Sequence, residues 1–195
     1  MLQNVSVAMA AYNGEKYLND QINSIICQLS PRDELIISLD PSKDTSREII
    51  QSFCSKDSRI KMIVGPGRGV IRNFANALAQ CQNDIIFLTD QDDVWLPGKI
   101  DNVKKVFEDY GDVNVVMHDA FIVNENLGVL SNSFFEGRKC KLGVFNNIIR
   151  NSYMGCCMAF RNELLKYILP FPDNLPMHDQ WIGLVGEITG KNYLL

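Results

Sequence analysis

Through its first hundred residues the chain alternates short apolar runs with amphipathic segments, and this alternation limits the folds open to it more than any other feature. "NVSVAMA" (4–10) reads as a buried strand, and "EKYLNDQINSIICQL" (15–29) follows with Leu18, Ile22, Ile25, Ile26 and Leu29 at helical spacing. "ELIISL" (34–39) makes a second strand. Thr45, with Glu48 three residues on, predicts a capping box opening a helix whose Ile49, Ile50, Phe53 and Cys54 share a face. "IKMIV" (60–64) is a third strand, "VIRNFANALAQ" (70–80) a third helix with Ile71, Phe74, Ala75 and Leu78 inward, and "DIIFLT" (84–89) a fourth strand, after which Pro97 opens another helix. Strands and helices in this order imply right-handed crossovers and an α/β fold: a mostly parallel sheet with helices on both faces.

Beyond residue 100 the pattern loosens. "VNVVMHDA" suggests a strand, "FIVNENLGVL" a hairpin, Leu142 to Ile149 a short helix and "GCCMAF" another strand; "RNELLKYIL" and "DQWIGLVGEITG" read as two closing helices joined by "PFPDNLP". No repeat or linker divides the chain, and 195 residues, 46% of them hydrophobic, suit one domain with one sizeable core. A net charge of -4 with scattered Lys and Arg argues against nucleic acid as a partner. "MLQNVSVAMAAYNGEKYL" lacks a basic start and no apolar run reaches a membrane span, which predicts a cytosolic chain. The six cysteines form no CxxC pair and five sit in apolar stretches, so reduced core thiols are expected and a zinc site is not.

In an open parallel sheet the ligand crevice lies beyond the carboxyl ends of the strands. The segments there are "AYNGE", "DPSKD", "GPGRG" and "DQDD". Asp40 and the group Asp90, Asp92 and Asp93 would repel one another unless a cation or hydrogen-bond donors offset their charge. Mg²⁺ or Mn²⁺ suits a short Asp-x-Asp, because these ions take one or two carboxylates and complete their shell with water and phosphate oxygens. Taken alone, three aspartates after a strand read more simply as a turn and a helix start. A calcium loop of the EF-hand kind fails, with Trp95 where Gly is needed and Asp101 where a bidentate Glu belongs.

"GPGRGV" is a weak dinucleotide fingerprint, since it follows the third strand and its last Gly comes one residue early; a phosphate-facing loop or a plain turn fits better. His118 and His178, each followed by Asp, read as structural histidines before they read as bases. Asp179 has the ordinary reading of a helix cap, and Tyr12, Trp95 and Trp181 that of core aromatics.

Taken together, "VSVAMAAYNGEKYLNDQINSIICQ", "LIISLDPSKDTS", "GVIRNF", "DIIFLTDQDDVWLPGKI", "GCCMAF" and "HDQW" resemble the family 2 glycosyltransferases of GT-A fold, in particular their rhamnosyltransferase-like branch. The resemblance covers most of the chain in order. It implies one catalytic domain over 1–195, with a nucleotide-sugar-binding half (1–100) and an acceptor-side half (101–195). Tyr12 and Asn13 would line the nucleobase pocket with Glu15 nearby, Asp40 would bind the base or ribose, and Asn73 would sit beside the nucleotide sugar. Asp90 and Asp92 match the DxD element: the first faces the ribose, the last coordinates the Mg²⁺ or Mn²⁺ that bridges the diphosphate, and Asp93 is a supporting acid. Asp179 falls where the family carries its general base, with "NSYMGCCMAF" beside the donor sugar and the acceptor entrance.

The partners so implied are a nucleoside-diphosphate sugar donor and a saccharide or lipid-linked acceptor, in polysaccharide or glycolipid assembly. Peripheral attachment to the inner face of the membrane is left open. A single base and in-line attack imply inversion at the anomeric carbon. Two positions depart from the family pattern: Leu39 stands for the first of two usual aspartates and Pro41 for a glycine. The family also tends to continue well past "GKNYLL". A nucleotide-sugar-binding domain with weak or no transfer is the alternative. A nucleotidyltransferase would need a glycine-rich, Arg-containing loop after the first strand, and a haloacid-dehalogenase-like phosphatase an aspartate there; "AYNGEKYL" has neither.

Overall fold

The computed structural model describes residues 3–195. In chain order the elements are β1 (Val5–Ala11), α1 (Leu18–Ile26), β2 (Glu34–Leu39), α2 (Ser46–Lys56), β3 (Ile60–Val64), α3 (Val70–Leu78), β4 (Ile85–Asp90) and α4 (Lys99–Asp109). There follow β5 (Val113–Met117), the hairpin β6 (Ile122–Val123) and β7 (Val129–Ser131), α5 (Phe134–Arg138), α6 (Val144–Ile149), β8 (Met158–Arg161), α7 (Leu165–Ile168), α8 (His178–Thr189) and β9 (Lys191–Leu194).

Seven strands form one sheet in the order β3-β2-β1-β4-β8-β5-β9. The β1–β2, β2–β3, β1–β4 and β5–β9 pairings are parallel, and only β8 runs against its neighbours β4 and β5. The expected mostly parallel sheet is therefore present. From β1 the chain steps outward to β2 and β3, then returns to place β4 on the other side of β1. The β1/β4 boundary is thus the switch point at which such sheets open a crevice. Two apolar layers cover the faces. One is built on Met9, Ile22, Ile37, Phe87 and Phe107, the other on Ile36, Phe74, Leu88, Met158, Phe160 and Ile182. No helix among the described residues is long and apolar enough to cross a membrane.

Several local expectations are corrected. Thr45 does not form the capping box: its N–H and Oγ1–H both donate to Glu15 Oε2, at 3.0 and 2.9 Å, while Glu48 lies exposed. A carboxylate brought in from the β1 turn outcompetes the local partner because it accepts two charge-assisted bonds at once. On α3 the buried face is Asn73, Phe74, Ala77 and Leu78, with Ile71 and Ala75 only partly covered. "GCCMAF" begins as a 3₁₀ turn (Gly155–Cys157) before β8, and "RNELLKYIL" is a 3₁₀ turn followed by the single turn α7. The helix α5 and the strand β9 have no counterpart in the sequence reading. All six thiols are free, as expected, but only Cys81 and Cys157 are buried, and Cys27 is exposed.

Candidate active site

The segments after β1 and β2 are laced together by polar bonds. Asn13 adopts a positive φ of 46°, a conformation Asn tolerates, so that its N–H reaches Ser42 Oγ (3.0 Å) and its Oδ1 accepts from Lys43 N (2.9 Å). Gly14 N donates to Ser46 Oγ and Glu15 N to Asp44 Oδ2. Across the switch point, Gln91 holds the backbone of Tyr12 in both directions, accepting from its N–H (2.9 Å) and donating to its carbonyl (3.0 Å). The turns after β1, β2 and β4 are thereby fixed relative to one another.

Between them, beyond the strand ends, opens a cavity of about 650 Å³ walled by Tyr12, Asp40, Gly67, Asn73, Asp90 and Asp92 among others. Asp40 Oδ1 accepts from Gly67 N (2.8 Å), and the left-handed φ of 66° at Gly67 directs that N–H inward. Gly65 is demanded by close approach: a Cβ there would lie 2.4 Å from Asp40 Oδ1 and 2.6 Å from Asn73 Oδ1. Asn73 donates to the Ala11 carbonyl (3.2 Å), while its Oδ1 is buried with no partner. Tyr12 is 53% exposed, its ring free to face a ligand.

On the far side of Asp92 lies a second, more apolar cavity of about 670 Å³, lined by Asp93, Trp95, Lys99, His118, Cys156 and Cys157 among others. Lys99 lies 4.0 Å over the Trp95 ring and donates to the Cys156 carbonyl (3.0 Å); burial lowers its amine to about 8. Burial, then the charges of Asp93, Asp92 and Asp179, pushes the Asp90 carboxyl up to about 7, and burial likewise raises Asp93.

A cation would relieve this crowding. Ligand atoms of Asp90, Asp93 and Cys156 lie within 4.8 Å of one another, and Asp93 Oδ2 is buried without a hydrogen-bond partner. Asp92, at the junction of both cavities, adds an exposed carboxylate beside them. The carboxylates of Asp90 and Asp93 suit a hard divalent ion such as Mg²⁺ or Mn²⁺, the soft Cys156 thiol does not, and Asp92, expected as a metal ligand, lies outside this convergent group.

Of the residues singled out in the sequence, Tyr12, Asp40, Asn73, Asp90 and Asp92 come together in the first cavity. Asn13 and Glu15 instead build its rim, Glu15 by holding Thr45. Asp93 turns into the second cavity. Asp179 is 5% exposed in the first turn of α8 and lines neither cavity; its Oδ1 accepts from Gln180 N (2.6 Å) and Asn151 Nδ2 (3.3 Å), and burial raises its carboxyl. Its neighbour His178 stacks on Phe74 at 4.4 Å, and burial lowers its imidazole to about 4. Gln91, Lys99 and Cys156 were not singled out, whereas Gly67 lies in the "GPGRGV" segment read as a phosphate-facing loop or a plain turn, and its N–H is taken by Asp40. Only the strand-end position of Gln91 within "DQDD" could have signalled its role.

The family profile described as Glycosyl transferase family 2 matches residues 6–169. An uncharacterized glycosyltransferase of Nostoc sp. is 28% identical over 85% of this chain and 53% of its own length. From Escherichia coli, the UDP-Glc:alpha-D-GlcNAc-diphosphoundecaprenol beta-1,3-glucosyltransferase WfgD is 25% identical over 86% of the chain and 64% of its own length. The chain thus spans between about half and two thirds of these relatives. Among solved structures, the mannosyltransferase PcManGT of Pyrobaculum calidifontis, in complex with GDP-Man and Mn²⁺, superposes with a TM-score of 0.74 at 18% identity, covering 100% of this chain and 55% of that one. The fold is of the expected GT-A type. With its profile matched over most of its length, the chain belongs to glycosyl transferase family 2.

Proposed function

We propose that the chain is the catalytic domain of an inverting glycosyltransferase that moves a sugar from a nucleoside-diphosphate donor to an acceptor hydroxyl. The observation that carries this reading is the convergence of Asp40, Asn73, Asp90 and Asp92, from three separate segments, on one cavity at the carboxyl edge of the sheet. In this reading residues 1–100 hold the donor and 101–195 present the acceptor. Tyr12 stacks on the nucleobase, Asp40 binds the base or ribose, and the unpartnered Asn73 Oδ1 takes a hydrogen bond from the donor. Asp90, Asp92 and Asp93 would hold Mg²⁺ or Mn²⁺, which supplies Lewis-acid neutralisation of the departing diphosphate. Asp179 takes the proton of the acceptor hydroxyl as the new bond forms on the face opposite the leaving group. Its burial raises its basicity toward that task.

The lipid-linked acceptor for which the E. coli relative is named, and the GDP-Man and Mn²⁺ held by the archaeal mannosyltransferase, support this class of substrates and cofactor. A rhamnosyl donor is the finer proposal, resting on the motif resemblance. One observation favours a second reading, donor binding without efficient transfer: Asp179 is buried and lines neither cavity. Nucleotide release from UDP-, GDP- and dTDP-sugars, with saccharide and lipid-linked acceptors, separates the two. Acceptor-dependent release that Asp179→Asn lowers by about a hundredfold or more supports transfer; donor binding with no release, or release indifferent to Asp179→Asn, removes it.

A further inference from the structure

The helix α6 is built inside out. Its polar Asn147 is fully buried, whereas Phe145, Ile148 and Ile149, at i, i+3 and i+4 and therefore on one face, are 85%, 60% and 88% exposed. The inward face is held by polar bonds: Asn147 Nδ2 donates to the carbonyls of Lys141 (2.9 Å) and Gly143 (3.1 Å), Asn147 Oδ1 accepts from Ser152 N, and the Asn147 carbonyl accepts from Gln180 Nε2 (2.6 Å). The helix is thus anchored with its apolar side outward, directly against α8. Its surroundings are basic. Residues 138–150 carry Arg138, Lys139, Lys141 and Arg150, all exposed, and no carboxylate of their own, in a chain of net charge -4; the carboxylate that meets the segment is Glu187 of α8, whose Oε1 accepts from Gly143 N (2.6 Å) and Asn147 Nδ2 (3.4 Å).

We propose that this face is a docking surface for an anionic lipid bilayer. Three large apolar side chains enter the acyl boundary and the four cations meet the headgroups, a pairing of apolar burial with charge attraction that defines interfacial segments. A protein partner would be served by the apolar patch alone; the cationic rim is what selects a surface of phosphates. Because Gln180 ties α6 to the helix that carries Asp179, the bilayer would lie beside the acceptor side of the molecule. The surface does not depend on sugar transfer, since its evidence is the exposure and charge of α6 and its flanks.

Flotation with vesicles of phosphatidylcholine, with and without phosphatidylglycerol, tests the proposal without nucleotide present. The full chain should float with the anionic vesicles, less so as salt rises. Each of Arg138, Lys139, Lys141 and Arg150 replaced by Gln should weaken binding by about fivefold. The double variant Phe145→Glu, Ile149→Glu should lose it, while Val64→Glu, equally exposed at the far edge of the sheet, should not. All these side chains are exposed, and unchanged circular dichroism confirms that each variant folds. No flotation of the wild type, or equal flotation of the double variant, overturns the proposal. So does a concentration-dependent dimer that the double variant abolishes without any vesicle binding, which would assign the face to a second copy.

Discussion

Gln91 and Tyr12 pair as two peptide units would: the Gln91 amide accepts from the Tyr12 N–H at 2.9 Å and donates to the Tyr12 carbonyl at 3.0 Å. A side chain placed between Asp90 and Asp92 thereby ties the end of β4 to the turn after β1. The position of the carboxylates relative to Tyr12 follows from this bond pair. Gln91→Ala removes two solvent-exposed hydrogen bonds to the Tyr12 backbone and should lower stability by about 0.5–1.5 kcal/mol. It should also weaken nucleotide binding by about tenfold. Urea unfolding and calorimetry measure both; wild-type affinity in Gln91→Ala would show that the tie does not set the cavity.

Gly65→Ala tests the tightest point of the same cavity. The new methyl would meet Asp40 Oδ1 at 2.4 Å and Asn73 Oδ1 at 2.6 Å, and the Asp40 backbone N at 2.7 Å, so the Asp40 loop must move. The expected cost is about 1–3 kcal/mol of stability, as for overpacking elsewhere, together with loss of nucleotide binding. A variant of wild-type melting temperature and affinity would contradict the packing described here.

Asp90 and His178 set opposite pH trends in the metal-free protein. Asp90, with a folded value of about 7 against 3.8, adds stability that is complete below pH 4 and lost as pH rises through 7. His178, about 4 against 6.5, is destabilising when it must charge, so stability falls as pH drops from 6.5 toward 4. Between pH 4 and 6.5 the two offset one another. Asp90→Asn removes the first trend, so with chelator present its melting temperature should climb with pH across this window more steeply than that of the wild type. Parallel curves would mean that Asp90 does not carry the raised value.

The strands and helices of the first hundred residues were legible because each is short and strongly periodic, and β1, β2, β4 and α1 bury the apolar residues that announce them, whereas α2, β3 and α3 are covered only in part along the expected face. Legibility fell where three-dimensional partners override local preference. Thr45 gave up its capping box to Glu15, which is thirty residues away in sequence. Asn73 turned inward on α3 to reach the Ala11 carbonyl and the cavity, against the polar pattern of its position. The strand β9 is only four residues long and pairs with β5 at the sheet's edge, so it offered no period to read. Within the site, the carboxylates after β4 announced themselves by density. Their sorting, with Asp92 at the cavity junction and Asp93 against Cys156 and Lys99, depends on a turn whose course the residues alone do not encode.

The carboxylates at the β1/β4 switch point are proposed to hold a divalent ion against a nucleoside diphosphate. Isothermal titration of UDP, GDP and dTDP, with and without Mn²⁺, on the wild type and on Asp92→Ala tests it most directly. One nucleotide should bind, its affinity should drop by at least about tenfold when Mn²⁺ is chelated, and the metal effect should vanish in Asp92→Ala. Binding of equal strength with and without the metal, or in both proteins, would contradict the account.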